Sequence, residues 1–391
     1  MRILVNTANL CVGGGVQKAV QFFLACRRFG QDHRWRFVLS PQVTASLDTV
    51  ETPEWMSAIA IDASPARIVA GRPTRRRLRR EEADFRPDIV FSVSGPSYHR
   101  FRRPHLMGFA IGWITHPSDL AWASLGPLGR RIMFGLRLKY YTFWARFADE
   151  WLLQTETAAA GMARVMGADR RRFHVVPNSC SDYYFAARDD GAAGGPRARH
   201  QEDAFRLLVI TSYKAHKNLE IIQEVAAAVR ARGAHRRCRF VLTLREDSPP
   251  WRALHDRARR LGVADDVTTV GPVLVSEGPG VFADCDAVFL PTVLETFSAT
   301  YPEAMCMDRP IVTSDLDFAR DICRDAAVYF DPTDPVAAAG AVAEVVDDED
   351  LRRRLVAVGR RRLTDFGTCQ ERFGAVVRIL EDMVSRYGGV S

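Results

Sequence analysis

Short continuous apolar runs alternate with amphipathic stretches along most of the chain. In the first half the runs fall at 2–7, 36–40, 87–93, 106–111, 151–154 and 173–177. The first is followed by the loop Val12-Gly-Gly-Gly-Val16 and then by a helical pattern through about Arg28. In the second half the rhythm is clearer, with runs at 206–212, 239–244, 267–271, 287–291, 310–314 and 327–331. Helical patterns such as 219–232 and 251–261 lie between them. Apolar strands without in–out alternation, separated by amphipathic helices, predict parallel sheets covered on both faces. The expected fold class is therefore α/β, with two facing doubly wound Rossmann-like domains and the active site in the cleft between them.

The segment 181–204, with Asp189-Asp190-Gly-Ala-Ala-Gly-Gly-Pro196, lacks periodicity and reads as a linker. This divides the chain into an N-terminal domain over 1–180, a linker over 181–204 and a C-terminal domain over 205–366. A final helix lies within 367–391 and is expected to return to the N-terminal domain. The 47% hydrophobic content is that of a globular protein. No run is long enough to span a bilayer, and Met1-Arg-Ile-Leu-Val5 enters a strand with no signal-peptide pattern. The eight cysteines are scattered without a C-x-x-C pair, which favours reduced packing residues and a cytoplasmic protein.

The net charge of +7 is unevenly spread. Residues 1–180 hold 26 Lys+Arg against 14 Asp+Glu, a net of +12, and the remainder holds 28 against 33, a net of −5. Such an asymmetry points to nucleic acid, an anionic membrane or an acidic ligand near the first half, while an arginine-rich solvated face accounts for much of it as readily. Two segments carry much of it, Arg67–Arg80 and 121–148, the latter with five basic residues and no acid. At helical spacing within 128–147, Arg130 and Arg137 fall on one side while Lys139 and Arg146 fall nearly opposite. This predicts a partly buried helix, not one lying in a membrane interface, and leaves the 67–80 run to supply most of the attraction.

The stretch Ala287-Val-Phe-Leu-Pro-Thr-Val-Leu-Glu295-Thr-Phe-Ser-Ala-Thr-Tyr-Pro-Glu303 carries the most chemistry. A buried strand gives way to a polar loop, and a helix begins near Ala299. Backbone N–H groups of Phe297, Ser298, Ala299 and Thr300 would stand at the helix N-terminus, suited to a diphosphate. Glu295 and Glu303 beside it are suited to accept hydrogen bonds from sugar and ribose hydroxyls. On spacing alone, a solvated loop acid and a carboxylate favourable with the helix dipole explain the pair equally well.

The Glu, seven residues, Glu spacing resembles the signature of the retaining two-domain (GT-B) glycosyltransferases of family 4, or group 1. The resemblance continues through Asp308-Arg-Pro-Ile-Val-Thr-Ser-Asp315 and Ala327-Val-Tyr-Phe-Asp-Pro332. Upstream, Ser212-Tyr-Lys-Ala-His-Lys217-Asn218 resembles the family's phosphate loop, and Val175-Val-Pro-Asn178 the segment that closes its N-terminal domain. The resemblance implies that Glu295 holds hydroxyls of the donor sugar, Glu303 the ribose, and Lys217 the diphosphate. Lys214 and Asn218 stand beside Lys217 as further donor contacts. Ser212 replaces the family's arginine, five residues before Lys217, and Lys214 is the alternative source of that charge.

In the N-terminal half, Gly14 and Gly15 follow the first strand and would let backbone approach a ligand. Trp113-Ile-Thr-His116-Pro117 resembles the family's histidine segment, which implies that His116 contacts the donor sugar and steadies charge at the reacting carbon. Asp315-Leu-Asp317 follows a strand where the family has Ser-Asp and reads as a loop acid, so no metal or other cofactor is expected. The activity implied is retaining transfer from a nucleotide-diphosphate sugar to a saccharide or lipid-linked acceptor in surface polysaccharide synthesis, with nucleic acid excluded. An inverting transferase with His116 as base, or a non-catalytic nucleotide-sugar-binding protein, remains compatible with these residues.

Overall fold

The computed structural model describes residues 1–11, 13–47, 51–191, 204–233 and 236–388. Its contacts divide the chain into two compact units. One holds Met1–His116, Leu128–Pro177 and the chain from Thr368 on, and the other holds Pro117–Pro127 and Asn178–Gly367. The 181–204 segment is more than a spacer. It opens with a helix, Asp182–Asp189, whose Tyr184 is buried within the second unit, while residues 192–203 lie outside the described residues.

The first unit is built on β1 (Arg2–Asn6), β2 (Arg34–Leu39), β3 (Met56–Ala60), β4 (Ile89–Ser92), β5 (His105–Gly108), β6 (Glu150–Leu153) and β7 (Phe173–Val175). All pair in parallel, in the order β3-β2-β1-β4-β5-β6-β7. Successive side chains leave a strand on opposite faces. Ile3 and Val5 accordingly enter one core with Phe22, Phe37 and Phe373, while Leu4, Val38 and Val90 enter another with Leu78 and Phe85. Both faces are apolar because helices cover both, Gly14–Phe29 and Cys369–Tyr387 on one and Arg72–Phe85 on the other. β3 has no counterpart in the expected runs. It is an edge strand with alternate residues exposed, and Met-Ser-Ala-Ile-Ala is too weakly apolar to stand out.

The second unit repeats the plan with β8 (Phe205–Val209), β9 (Cys238–Leu242), β10 (Val267–Thr269), β11 (Ala287–Leu290), β12 (Ile311–Ser314) and β13 (Ala327–Phe330). The order is β10-β9-β8-β11-β12-β13, again all parallel. Leu207, Val209, Phe240 and Phe289 fill one side of this sheet, and Leu208, Val241, Val288 and Leu290 the other. The two sheets make the chain α/β with two Rossmann-like domains. All eight cysteines are free thiols, six of them buried. Among the described residues no helix is long and apolar enough to cross a membrane.

The Cys369–Tyr387 helix packs on the first sheet and is tied to it near its end. Thr368 and Glu371 form a reciprocal capping box at its start. Near its end Arg386 and Tyr387 reach the buried carboxylate of Glu150 on β6, each donating over 3.0 Å, and His174 bonds the same group. Burial alone would push the Glu150 carboxyl up, but the hydrogen bonds from His174 and Arg386 outweigh it and hold the value at about 2. A depressed carboxyl stabilises the fold above its unfolded value and loses that contribution as the group protonates. Replacing Arg386 with Met is expected to cost roughly 1–3 kcal/mol at neutral pH. The difference from wild type in denaturant unfolding should shrink as pH falls from about 4.5 toward 2; an unchanged midpoint at pH 7 would show that Arg386 does not hold the helix.

Candidate active site

In an open parallel sheet the ligand crevice forms beyond the carboxyl ends of the strands, where the strand order reverses. In the second sheet that point lies between β8 and β11. The loops leaving these two strands are joined there. The His216 carbonyl accepts from the Val293 N–H at 2.8 Å and from the Thr292 hydroxyl at 2.9 Å. This pinning brings Lys217, in the short 3-10 turn Ala215–Lys217, against Glu295, and the two form an ion pair. Both side chains are largely buried, at 16% and 20% exposed. Burial also pushes the His216 imidazole down to about 4, despite the opposing pull of Glu295, so it is neutral at physiological pH.

Asn218 adopts a left-handed conformation with φ 53°, and its Nδ2 donates to the Pro332 carbonyl at 2.9 Å. Its side chain thus ties the β8 loop to the exit of β13. Lys214 is exposed at the rim. After β11 the helix runs Thr300–Cys306, one residue later than expected, with Ala299 as its cap. The first N–H groups of a helix have no partner within it. Those of Phe297, Ser298, Ala299 and Thr300 stand at this end, but the Phe297 side chain is buried against Phe366, with ring centroids 5.7 Å apart. Only its backbone can face a ligand.

Glu303 lies on the first turn of that helix, partly buried. Burial pushes its carboxyl up to about 7, opposed by a hydrogen bond from the Tyr184 hydroxyl. Tyr184 is seated against Gly278, where a Cβ would lie 2.2 Å from the hydroxyl oxygen. Sequence reasoning missed Tyr184 because its segment was taken as a linker; the cluster Tyr183-Tyr184-Phe185 was the available signal. Asp315 receives both ends of the Arg320 guanidinium, and Asp317 opens the helix Asp317–Cys323.

Within the first unit, Gly14 heads the helix that follows β1, after Gly13 at φ 64°. Gly15 faces Leu10, 3.3 Å from where a Cβ would sit, while a Cβ on Gly14 would meet nothing. His116 ends the turn Gly112–Thr115, and its Nδ1 lies 2.7 Å from the Thr115 hydroxyl. That turn is seated on the Glu156–Met166 helix through Gly161, where a Cβ would fall 1.7 Å from the Thr115 carbonyl oxygen.

Residues 204–348, which contain Lys217, Glu295 and Glu303, match the family described as Glycosyl transferases group 1. The chain is a glycosyltransferase whose segment 204–348 is similar to glycosyl transferases group 1. The chain is 27% identical over 284 residues to the alpha-D-kanosaminyltransferase of Streptomyces kanamyceticus, covering 72% of each. It is 27% identical over 219 residues to the D-inositol 3-phosphate glycosyltransferase of Stackebrandtia nassauensis, covering 54% of this chain and 49% of that protein. Among solved structures, HepE of Anabaena, in complex with UDP and glucose, matches with a TM-score of 0.68 at 15% identity, covering 98% of this chain and 100% of that one. Sucrose-phosphate synthase from Thermosynechococcus elongatus matches with a TM-score of 0.70 at 14% identity, covering 99% and 100%. The fold is that of the GT-B glycosyltransferases.

The raised Glu303 value sets a pH test. A carboxyl that binds its proton more tightly folded than unfolded costs stability as pH rises from about 4.5 through 7. Wild type is therefore expected to lose stability over that window relative to Glu303→Gln, by up to about 3 kcal/mol. Parallel thermal unfolding curves for the two proteins from pH 5 to 8 would show that Glu303 titrates normally. A second expectation concerns Gly161. Gly161→Ala should lower the unfolding midpoint and shift the amide resonances around His116, as read by heteronuclear NMR; an unperturbed Thr115–His116 segment would contradict the tight approach.

Proposed function

We propose that this protein transfers a sugar from a nucleotide-diphosphate sugar to a saccharide or lipid-linked acceptor, with retention of configuration, in surface polysaccharide synthesis. The observation that carries the reading is the Lys217–Glu295 pair at the strand-order reversal, one short loop away from Glu303. A compact ammonium and a helix N-terminus favour a diphosphate as its charge grows on leaving, which is electrostatic stabilisation of the transition state. Glu295 then holds hydroxyls of the donor sugar and Glu303 holds the ribose. Lys214 and the Asn218 backbone border the diphosphate, as do Gly14 and Gly15 of the glycine loop. His116 contacts the donor sugar and steadies charge at the reacting carbon. No cofactor takes part; the nucleotide sugar is a substrate.

The donor class is supported by the group 1 match and by the UDP-bound state of HepE. The +12 of residues 1–180 supports an anionic or membrane-held acceptor, and with it a cytoplasmic protein that touches the membrane face peripherally.

The proposal separates the two glutamates. Glu303→Ala should weaken binding of the free nucleoside diphosphate by roughly 1.5–3 kcal/mol, measured by calorimetry. Glu295→Ala should leave that affinity nearly intact and reduce transfer strongly. Because a ribose diol donates best to an ionised carboxylate, wild-type affinity should rise with pH through about 7, and Glu303→Gln should abolish the rise. Equal, small effects of both alanine variants would remove the assigned roles. Product anomer analysis decides retention, and an inverted product would make His116 the candidate base.

A further inference from the structure

The helix Leu128–Ala145 is partly buried but leaves a long face exposed. Only Leu138 and Ala145 of its eighteen residues are buried. Its inner side is fixed by aromatic contacts, Phe134 on Trp113 at 5.0 Å and Tyr140 stacked on Tyr98 at 5.8 Å. Leu128, Ile132, Leu136 and Phe143 are all exposed, Leu128 at 71%, with Met133 beside them. At about 100° per residue the first four fall within one quadrant of the helix. Considering the basic residues alone hid this stripe. Lys139 lies within it, Arg146 follows on the same side just past the helix end, and Arg130 and Arg137 lie nearly opposite.

A second apolar element adjoins the helix. The Tyr140 hydroxyl donates to the Ala66 carbonyl at 3.3 Å, and Arg75 donates to the carbonyls of Ile68 at 2.6 Å and Arg67 at 3.1 Å. This clamp holds out Ile68 and Val69, each 70% exposed. One arginine of the basic run is thus spent on building the loop. Neither 63–80 nor 128–148 contains an acid; together they hold seven and five basic residues.

We infer that the outer face of the Leu128–Ala145 helix and the Ile68–Val69 tip form one surface that docks on an anionic lipid bilayer, with the apolar side chains entering the headgroup region. The inference rests on the membrane contact proposed above and names its surface. Exposed Leu, Ile and Phe interspersed with Lys139 and Arg146, without a carboxylate, is the composition of an interfacial helix. Lys139 fits within the stripe because its long aliphatic stem lets the ammonium rise to the phosphates. Phosphate attraction is screened by salt, with a Debye length of about 8 Å at physiological strength, whereas apolar insertion is not.

The test is sedimentation of the full chain with phosphatidylcholine vesicles, with and without phosphatidylglycerol, at low and high salt. Wild type should bind the anionic vesicles at low salt and retain part of that binding at high salt. The fourfold variant Leu128→Ser, Ile132→Ser, Leu136→Ser, Phe143→Ser should bind at least ~10-fold more weakly at both salts. Lys139→Gln, Arg146→Gln should lose binding mainly at low salt. Ile68→Ser, Val69→Ser leaves the helix intact and should also weaken binding, so a folding defect in the fourfold variant cannot imitate the result. Calorimetry with a nucleoside diphosphate on the same proteins should be unchanged, which separates this surface from the donor site. Absence of wild-type binding at low salt, or unaltered binding of both apolar variants, overturns the inference. So does a wild-type dimer that the fourfold variant dissolves with no vesicle binding by either protein, because the face then covers a second copy.

Discussion

The second unit depends on one constraint: the loops leaving β8 and β11 must meet at the point where the strand order reverses. Adjacent parallel strands deliver both loops to the same edge of the sheet, and the His216 carbonyl, accepting from Thr292 and Val293, fixes their register. The Lys217–Glu295 pair follows from that register and not from any proximity in sequence, since 78 residues separate the two. A buried ion pair is weak evidence for stability, because removing both charges from water offsets most of their attraction. Its persistence here is better explained by position, with a cation and a carboxylate held where a charged ligand would enter.

Glu303 shows how the same constraint reaches a second group. The helix that follows β11 carries it into a partly buried site, where its carboxyl titrates near neutrality. Tyr184 opposes that shift by bonding the ionised form, and it can do so only because Gly278 leaves room for its hydroxyl. A carboxylate poised in this way has spare hydrogen-bonding capacity at neutral pH, which suits a group that must accept from hydroxyls. Perturbed titration of this kind clusters at functional sites.

Much of this was legible in the sequence, and the exceptions have physical reasons. Twelve of the thirteen strands lie within or beside apolar runs, because a parallel strand covered on both faces must be apolar along its whole length. β3 escaped because an edge strand needs only one buried face. Glu295, Glu303 and Lys217 were marked by spacing and by resemblance, and the structure brings the first and last of them into contact. Tyr184 was not legible, since its role comes from a tertiary contact with Gly278 and Glu303 that no local pattern records. The exposed stripe of the Leu128–Ala145 helix was not legible for a different reason. Its aromatic side is the buried one, and Leu, Ile and Phe face outward, so ordinary hydrophobic ranking points to the wrong face.

On the proposed reading, the Lys217–Glu295 pair also imposes an order on donor binding. In the structure each charge is paired with the other, so neither is buried unpaired. A diphosphate arriving at Lys217 supplies a stronger anionic partner and releases the Glu295 carboxylate. That carboxylate, no longer neutralised, is then free to accept from the sugar hydroxyls of the same ligand. A nucleoside monophosphate brings less negative charge to Lys217 and leaves Glu295 engaged. Discrimination between mono- and diphosphates would then arise from the exchange of partners inside the protein as well as from direct contacts. Lys217→Met would expose this coupling, because the exchange of partners at Lys217 could no longer occur, and diphosphate and monophosphate affinities should converge in that variant. Retention of the wild-type ratio would show that Lys217 and Glu295 act independently.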